Sequence, residues 1–544
     1  MQEKLLKIFE RIEEHPLTLG TFVITLFAIV SIRVGLENVL DNLPFRFSDQ
    51  FFYQFSHHFL TFSTIFLSAL PIVIWAGKVP IRKAANILIA GFLVIWTPPI
   101  VDEIISRGAG FWSFYSFDSL RGLLHRYITF FGDKPDIGIT YGVRFEVGIV
   151  IVLIVLYTWI KSRSLLRTLA SGILLYTVLF IIGVLPSIVT ILLLGPSAGF
   201  LAVSEQDVAR IMLSPAPLFV FNPPGIESVL AIKMTTLYGV LILPIIGLLS
   251  LVFFRGIVVA LYRNARLPQM IYHGGLFSIG AALTWLYGTN SFRPDIFHFS
   301  SCIILLVAVE CAWLASVVIN DLHDIAIDQV TNPHRPLITG AIDPATYRTI
   351  GILFFIASVF LSAIIATQMT LLLVVYQMLA FLYSAHPLRL KRFPIIATGL
   401  AASASLLILF SGFIVFSAEK NIGAFPTPVA ALLFFAYLAI IPIKDFKDIA
   451  GDQKDGVITL PVLLGVDRAK RLIGACVFLV FTVSPFILSV KNLFPLGMFF
   501  GAIGYWILQL SSENHRYLSY RKLAGWFVAL TIGYGIFVAL TLIK

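Results

Sequence analysis

The sequence predicts an all-α polytopic membrane protein, a transmembrane helical bundle of about fifteen spans. Hydrophobic residues make up 58% of the 544 positions and charged residues only 12%, whereas a soluble domain carries roughly 25% charged residues. The mean hydropathy is +0.93. Apolar runs close to the roughly 20 residues that span a bilayer recur along the chain. Such spans are helices, because a helix satisfies its own backbone groups in lipid.

Apolar runs between charged breaks define the predicted spans. The first group lies near 18–38, 56–77, 84–104, 143–161, 170–194 and 235–260. The second group lies near 272–288, 297–320, 349–367, 369–385, 395–417, 426–443, 472–490, 493–511 and 524–543. The stretch "LYRNARLPQ" separates the two groups. We therefore expect an N-terminal module of about six helices at 1–264 and a second module of about nine helices at 265–544.

The net charge of +10 reflects basic residues that concentrate in certain loops. These loops lie near 78–83, 161–167, 255–266, 389–392, 444–471 and 516–522. The positive-inside rule places such loops in the cytoplasm, so we expect a cytoplasmic N-terminus and no nucleic-acid partner. Cys302, Cys311 and Cys476 are scattered, which fits small packing residues rather than a metal or disulfide pattern.

Two acidic clusters each follow an apolar span. The first, "NDLHDIAIDQ", contains Asn320, Asp321, Asp324 and Asp328. The second, within "KDFKDIAGDQKDG", contains Asp445, Asp448 and Asp452. The three aspartates of the second cluster follow those of the first at a constant offset of 124 residues. Spacings of three and four residues put these side chains on one face of a helix, and both clusters lie on the predicted cytoplasmic side.

The chemistry of these clusters points to a metal–diphosphate site. Clustered carboxylates repel one another unless positive charge lies between them. Hard oxygen ligands suit Mg²⁺, which bridges to phosphate oxygens. Arg335 in "NPHRPLITG" and Lys391 in "YSAHPLRLKR" are the expected phosphate contacts. Two alternatives stay open: the carboxylates are solvated helix-end charges, or they form a cation-transport site.

Three ordered motifs resemble those of the UbiA-type intramembrane prenyltransferases. "NDLHDIAIDQVTNPHRPLITGAI" is similar to the family's first aspartate-rich motif, N-D-x-x-D-x-x-x-D followed by R-P. "KDFKDIAGDQKDGVITLPVLLG" is similar to the second motif, and "YSAHPLRLKR" is similar to the segment that connects them. The likeness covers residues 265–544, with the spans predicted there, and does not extend to residues 1–264.

The resemblance implies a nine-helix bundle around a central cavity and assigns site residues by position. Asn320, Asp324 and Asp328 would bind a first Mg²⁺, and Asp448 and Asp452 a second, with Asp321 and Asp445 as supporting ligands. Arg335, Tyr383 and Lys391 would bind or orient the diphosphate. The catalytic residues would be Asp324, Asp328, Asp448 and Asp452.

The implied function is Mg²⁺-dependent transfer of a prenyl group within the membrane. The donor would be a polyprenyl diphosphate and the acceptor an aromatic, tetrapyrrole or glycerol-phosphate compound, with release of diphosphate. The residues of "NPHRPL" and "GDQKDG" are more similar to the lipid- and chlorophyll-forming branches of the family than to the haem-forming branch. An intramembrane terpene synthase and a cation or lipid transporter are the alternatives. Trp285, Tyr376 and Phe381 are candidates to stabilise an allylic cation through their π faces, although simple packing is favoured for each.

The N-terminal module carries no motif that assigns an activity. It contains the adjacent pairs His57–His58 and Asp102–Glu103. Adjacent residues on a helix point in different directions, so we interpret both pairs as residues of the membrane–water interface. The module either packs beside the catalytic bundle or supplies a second lipid-processing activity.

Overall fold

The computed structural model describes residues 2–40, 49–106, 115–132, 139–214, 225–287, 290–447, 449, 453, 456 and 458–542. Within these ranges the chain forms helices, and fourteen of them are long and apolar enough to cross a membrane. The all-α, multi-pass prediction is confirmed. The chain divides into two compact units, residues 1–255 with 294–304 and residues 256–293 with 305–544. The assignment of separate roles to 1–264 and 265–544 stays a prediction.

Unit 1 contains the helices of the N-terminal half. They are α1 (Gln2–Glu13), α2 (Leu19–Leu40), α3 (Asp49–Gly77), α4 (Ile81–Phe92), α5 (Thr97–Ser106), α6 (Leu120–Ile128), α7 (Tyr141–Ser162), α8 (Leu165–Gly183), α9 (Leu185–Ala198), α10 (Glu205–Leu213) and α11 (Gly225–Phe253). A 3-10 turn, Leu93–Trp96, joins α4 to α5. Polar N-caps begin several of these helices; Thr140 accepts a hydrogen bond from the Val143 amide at the start of α7.

Unit 2 contains the remaining helices. They are α12 (Arg255–Asn264), α13 (Leu267–Tyr287), α14 (Ile296–His323), α15 (Ile325–Thr331), α16 (Pro344–Ile365), α17 (Thr367–Ser384), α18 (Pro394–Phe416), α19 (Thr427–Ile440), α20 (Leu460–Leu464), α21 (Val466–Ile487), α22 (Phe494–Leu510) and α23 (Tyr520–Leu542). Helix α14 belongs to unit 1 as far as Ile304. Nine long helices of the described residues therefore correspond to the nine predicted spans: α13, α14, α16–α19 and α21–α23.

Besides the span 84–104, which contains the 3-10 turn between α4 and α5, two predicted spans differ from the observed helices. The expected span 170–194 is divided, because α8 ends at Gly183 and α9 starts at Leu185. Pro186 lies at the beginning of α9, and proline breaks a continuing helix since it lacks an N–H and clashes with the preceding turn. The expected span 272–288 corresponds to α13, which contains the polar residues Gln269 and His273 and is not among the fourteen apolar helices of the described chain.

Unit 1 buries an ionic and aromatic cluster between α2 and α3. Arg33 Nη1 lies 3.1 Å from a Glu37 carboxylate oxygen, and His58 Nε2 lies 3.2 Å from the same oxygen. His57 Nε2 and the Tyr115 hydroxyl are 2.6 Å apart. Both histidines are buried inside the unit with these partners, a role that their adjacent positions in the sequence did not indicate.

Asp102 has a local structural task in the same unit. Its carboxylate accepts hydrogen bonds from the Thr140 hydroxyl at 2.6 Å and from the Gly142 amide at 2.8 Å. It therefore satisfies backbone and cap groups at the start of α7, where helix N-termini leave amides without intrahelical partners.

Two glycines allow α13 and α18 to approach closely. A Cβ on Gly280 would lie 1.8 Å from the Leu409 carbonyl oxygen, and a Cβ on Gly412 would lie 1.9 Å from the Phe277 carbonyl oxygen. These are backbone atoms, so no side-chain rotation relieves the overlap. Small residues at helix contacts are a common way for membrane helices to pack, and here they hold α13 against α18.

We expect Gly412→Ala to lower the stability of unit 2 by about 1–3 kcal/mol, the usual cost of overpacking. Thermal unfolding of the purified protein in detergent would report this as a lower Tm. Gly399→Ala is the matched control, because Gly399 lies on the same helix and no neighbouring atom comes within 4 Å of the position that its Cβ would occupy. Alanine is also the better helix former. An unchanged Tm for Gly412→Ala would contradict the close packing of α13 and α18.

Candidate functional site

The first acidic cluster lies where α14 ends, and the helix is interrupted within it. Helix α14 ends at His323 and α15 begins at Ile325, with Asp324 between them at φ −112° and ψ 18°. The expectation of one continuous helical face is therefore wrong. Aspartate is a poor helix-interior residue because its short polar side chain offers competing bonds, and the interruption separates the partners of Asp324 from those of Asp321 and Asp328.

Asp321 accepts hydrogen bonds from four side chains. Its Oδ2 accepts from Asn264 Nδ2 at 2.6 Å and from the Tyr347 hydroxyl at 2.8 Å. Its Oδ1 accepts from Arg266 Nη2 at 2.9 Å and from Arg335 Nη1 at 2.8 Å. An ionised carboxylate offers about four acceptor positions, so these contacts favour a positioning role for Asp321 over the predicted supporting metal ligation.

Asp328 shares Arg335 with Asp321. Arg335 Nη1 donates to an Asp328 oxygen, and Asn332 Nδ2 donates to the other at 3.1 Å. Burial raises the pKa of Asp328, and the neighbouring Arg335 guanidinium opposes that shift. The predicted diphosphate-binding arginine therefore lies between two carboxylates of the predicted metal site.

Asp324 has a separate pair of cationic partners from the segment after α17. Arg389 Nη2 donates to its Oδ1 at 2.9 Å, and Lys391 Nζ contacts both of its oxygens. All three side chains are buried. Burial lowers the pKa of Lys391, while the Asp324 carboxylate opposes the shift. Lys391 thus lies beside Asp324 of the acidic cluster, and its predicted contact with the diphosphate stays a prediction.

The remaining members of the first motif lie at the same end of α14. Asn320 is half-buried, and its Oδ1 accepts a hydrogen bond from the Ser384 hydroxyl at 3.2 Å. Tyr383, the residue before Ser384, is also half-buried on α17. His323 Nδ1 bonds the Ile319 carbonyl at 2.8 Å, so this ring nitrogen is directed at its own helix.

The second acidic cluster is only partly described. Asp445 is half-buried within a 3-10 helix, Ile441–Lys447, rather than an α-helix. Asp448 and Asp452 lie outside the described residues, so their predicted roles stay predictions. In the part of the chain that the structure describes, no three His, Cys, Asp or Glu side chains are grouped as a metal site.

Four residues with side chains in this cluster were not predicted as site residues: Asn264, Arg266, Tyr347 and Arg389. Asn264 and Arg266 lie in the stretch that separates the two predicted modules, and Tyr347 lies near the start of α16. Arg389 had a sequence signal, since it belongs to the basic run that contains Lys391. The other three are 57, 55 and 26 positions from Asp321, and no local pattern marks them.

The aromatic candidates divide by exposure. Trp285 and Phe381 are 65% and 49% exposed on the surface of the described chain, so these rings do not line the interior. Tyr376 is buried, and its hydroxyl lies 3.1 Å from His273 Nε2. His273 in turn stacks on Trp313 with ring centroids 4.6 Å apart. Only Tyr376 of the three thus belongs to an interior aromatic cluster.

The first acidic cluster carries a surplus of positive charge among its described residues. The carboxylates are Asp321, Asp324 and Asp328, and the cations that contact them are Arg266, Arg335, Arg389 and Lys391. Formal charges therefore leave one positive charge in excess. The cluster combines oxygen donors with guanidinium and ammonium groups, an arrangement that suits a phosphorylated anion.

Comparison with known proteins identifies relatives of this chain. A model of the UbiA prenyltransferase family matches residues 275–530. A digeranylgeranylglyceryl phosphate synthase of Methanocaldococcus jannaschii is 31% identical over 236 residues, which cover 43% of this chain and 75% of that protein. The synthase of the same name from Methanoculleus marisnigri is 27% identical over 199 residues, which cover 36% of this chain and 66% of that protein. The match thus spans about two thirds to three quarters of these relatives.

Two solved structures resemble this chain at lower identity. A UbiA homologue from Archaeoglobus fulgidus, bound to DMAPP and Mg²⁺, shares 20% identity at a TM-score of 0.39, over 50% of this chain and 97% of its own. The same homologue bound to GPP and Mg²⁺ gives a TM-score of 0.41, and the alignment covers 52% of this chain and 96% of that one. From the sequence match, the prediction of a prenyltransferase is confirmed at the level of the family: the chain belongs to the UbiA prenyltransferase family.

Proposed function

We propose that this chain transfers a prenyl group from a polyprenyl diphosphate to a lipophilic acceptor within the membrane, with release of diphosphate. The observation that carries the proposal is the buried cluster after α14, where Asp324 and Asp328 meet Lys391, Arg389 and Arg335. A purely solvated helix end would not bury three carboxylates in contact with four cations, two of them buried as well, because burial of charge is costly unless each charge has partners.

Mg²⁺ is the proposed cofactor, and the chemistry of the donor set fits it. Asn320, Asp324 and Asp328 offer amide and carboxylate oxygens, which are the hard ligands that Mg²⁺ prefers. Asp448 and Asp452 are the proposed ligands of the second motif, with Asp445 beside them. When bound, Mg²⁺ would neutralise negative charge on the diphosphate oxygens and thereby favour its departure.

The residues of the chain then have distinct tasks in the transfer. Arg335 and Lys391 hold the diphosphate by charge-assisted hydrogen bonds, and Tyr383 orients it. The allylic C–O bond breaks with its electron pair on the departing diphosphate. The prenyl carbon bonds to a nucleophilic atom of the acceptor, which releases its proton. Exclusion of water from this carbon prevents hydrolysis, a task for apolar and aromatic side chains such as Tyr376.

The proposed acceptor is a glycerol-phosphate lipid that already carries one prenyl chain. Support comes from the curated relatives, eight of which bear the name digeranylgeranylglyceryl phosphate synthase. The product in that name carries two geranylgeranyl groups on one glyceryl phosphate. The phosphate of such an acceptor would be a second anion for the cationic side of the cluster, and its prenyl chain would lie in the apolar bundle.

The proposed sidedness follows the basic loops. Both aspartate motifs lie among loops rich in Lys and Arg, for example 389–392 and 444–471, and such loops favour the cytoplasmic side. A water-soluble diphosphate product would then be released into the cytoplasm. Labelling of single cysteines introduced into these loops, in intact cells and in opened membranes, tests the orientation.

Mass spectrometry of products from the purified protein tests the transfer. We expect a doubly prenylated glycerol phosphate and free diphosphate when a prenyl diphosphate, a prenylated glycerol phosphate and Mg²⁺ are supplied together. An aromatic acceptor in parallel reactions would test the competing acceptor class. Hydrocarbon or alcohol products without acceptor would identify a terpene synthase, and no release of diphosphate under any of these conditions would overturn transfer.

A further inference from the structure

Asp321 is the common acceptor for four residues from three separate segments. Asn264 ends α12, Arg266 follows it, Tyr347 lies on α16 and Arg335 follows α15. Asn264 Nδ2 also donates to the Tyr347 hydroxyl at 2.8 Å. The four donors leave Asp321 only 2% exposed. Because each side chain is bonded to a shared carboxylate, the position of Arg335 depends on groups that are distant in sequence.

The segment that contains Asn264 and Arg266 precedes residue 275, where the match to the family begins. It is nevertheless fixed to the site. Trp313 Nε1 on α14 donates to the Ala265 carbonyl at 3.2 Å. Apolar residues of α12, including Leu261, pack against a buried cluster that contains Val318. This anchoring holds the Arg266 backbone beside the end of α14.

Two guanidinium groups converge on one oxygen of Asp321. Arg266 Nη2 and Arg335 Nη1 lie 2.9 Å and 2.8 Å from Oδ1. Like charges held this close repel each other. Arg335 also contacts Asp328, whereas the printed carboxylate contact of Arg266 is with Asp321 alone. Arg266 is also the most exposed cation of the cluster, with 28% of its side chain exposed against 14% for Arg335 and 9% for Lys391. An arginine has five N–H donors, so a guanidinium at this position has donors to offer an incoming anion.

We infer that Arg266 is a further diphosphate-binding residue, and that Asp321, held by Asn264 and Tyr347, positions Arg266 and Arg335 side by side toward the same anion. The inference rests on the proposed function for the identity of that anion. It assigns part of the substrate site to a segment that lies before the matched family region, and it gives the second residue of the N-D-x-x-D motif a positioning role.

Binding of inorganic diphosphate in the presence of Mg²⁺, measured by calorimetry, tests the role of Arg266 without any turnover. A charge-assisted hydrogen bond contributes enough that its loss weakens binding by about 10–100-fold. We expect that loss in Arg266→Gln, partial recovery in Arg266→Lys, and no change in Arg263→Gln, which removes an exposed arginine from the same segment. A diphosphate Kd for Arg266→Gln equal to that of the wild type would overturn the inference.

Kinetics separate the inference from the proposed function. With a prenyl diphosphate as substrate, Arg266→Gln should raise KM by about 10–100-fold and leave kcat within a factor of about three, since the chemistry lies at other residues. A wild-type protein that binds diphosphate but does not transfer prenyl groups would overturn the function and keep Arg266 as a binding residue. Prenyl transfer by the wild type together with an unchanged KM in Arg266→Gln would keep the proposed function and overturn the binding role of Arg266.

A double-mutant cycle tests the positioning role of Tyr347. Tyr347→Phe should weaken diphosphate binding by about 3–10-fold, because it releases one of the bonds that orient Asp321. The double variant Tyr347→Phe/Arg266→Gln should lose less affinity than the product of the two single losses, since Tyr347 acts on the anion through Asp321 and part of that effect passes through Arg266. Fully multiplicative losses would show that Tyr347 does not act through Arg266, and an unchanged Kd in Tyr347→Phe would show that Tyr347 serves stability only; either result would contradict the positioning role.

Discussion

Replacement of Asp324 by asparagine is expected to reduce prenyl transfer by about 10²–10³-fold, the usual effect of removing a charged group that stabilises a transition state. Asp324 is buried at the break between α14 and α15 and contacts Lys391 and Arg389. It serves the proposed metal–diphosphate site as an oxygen ligand and as the anchor of two cations. Both tasks need the negative charge, which asparagine lacks although its size is similar.

The control for Asp324→Asn must separate catalysis from folding. Loss of one buried carboxylate leaves Lys391 and Arg389 with excess positive charge, and breaking a buried ion pair destabilises a protein by about 3–5 kcal/mol. The double variant Asp324→Asn/Lys391→Gln returns the net charge of these three side chains to its wild-type value, so it should recover part of the loss in Tm and stay inactive. Asp467→Asn replaces an exposed aspartate on α21 and should keep full activity. Turnover of folded Asp324→Asn within about threefold of the wild type would argue against a catalytic role.

The sequence was sufficient to predict the helices but not the partners of the acidic residues. Apolar length alone defines a membrane span, and the predicted spans fall on observed helices. The break at Asp324 was not predictable from spacing, because three- and four-residue intervals fit an unbroken helix. The contacts of Asp321 with Asn264 and Tyr347 join residues far apart in the chain, and such pairs depend on tertiary packing rather than on periodicity.

Aromatic residues illustrate a second limit of sequence reasoning in membrane proteins. Trp285 and Phe381 are largely exposed, whereas Tyr376 is buried beside His273. In a soluble protein an apolar pattern distinguishes the interior from the surface. In a bilayer the surface is as apolar as the interior, so composition cannot separate a ring that faces lipid from one that lines a substrate site. The contacts between helices in the structure distinguish the exposed rings from the buried one.

Removal of divalent metal is expected to abolish prenyl transfer, and added Mg²⁺ should restore it. The reason lies in the charges around the diphosphate: Arg335 and Lys391 are already bonded to carboxylates, so they alone offer the leaving group little net positive charge. A chelator titration of turnover, with back-titration by Mg²⁺, measures the effect, which we place at more than about 10²-fold.

Asp328→Asn tests whether the expected Mg²⁺ requirement depends on the first acidic cluster. It should raise the Mg²⁺ concentration for half-maximal turnover by about 10–100-fold, the usual scale for impaired metal sites, while Asp467→Asn should leave it unchanged. Asp328 also holds Arg335, so the KM for the prenyl diphosphate should be measured at saturating Mg²⁺. A change in KM alone, with the Mg²⁺ requirement unaltered, would mean that Asp328 positions Arg335 and does not bind metal; turnover that survives complete chelation would exclude the metal from the reaction.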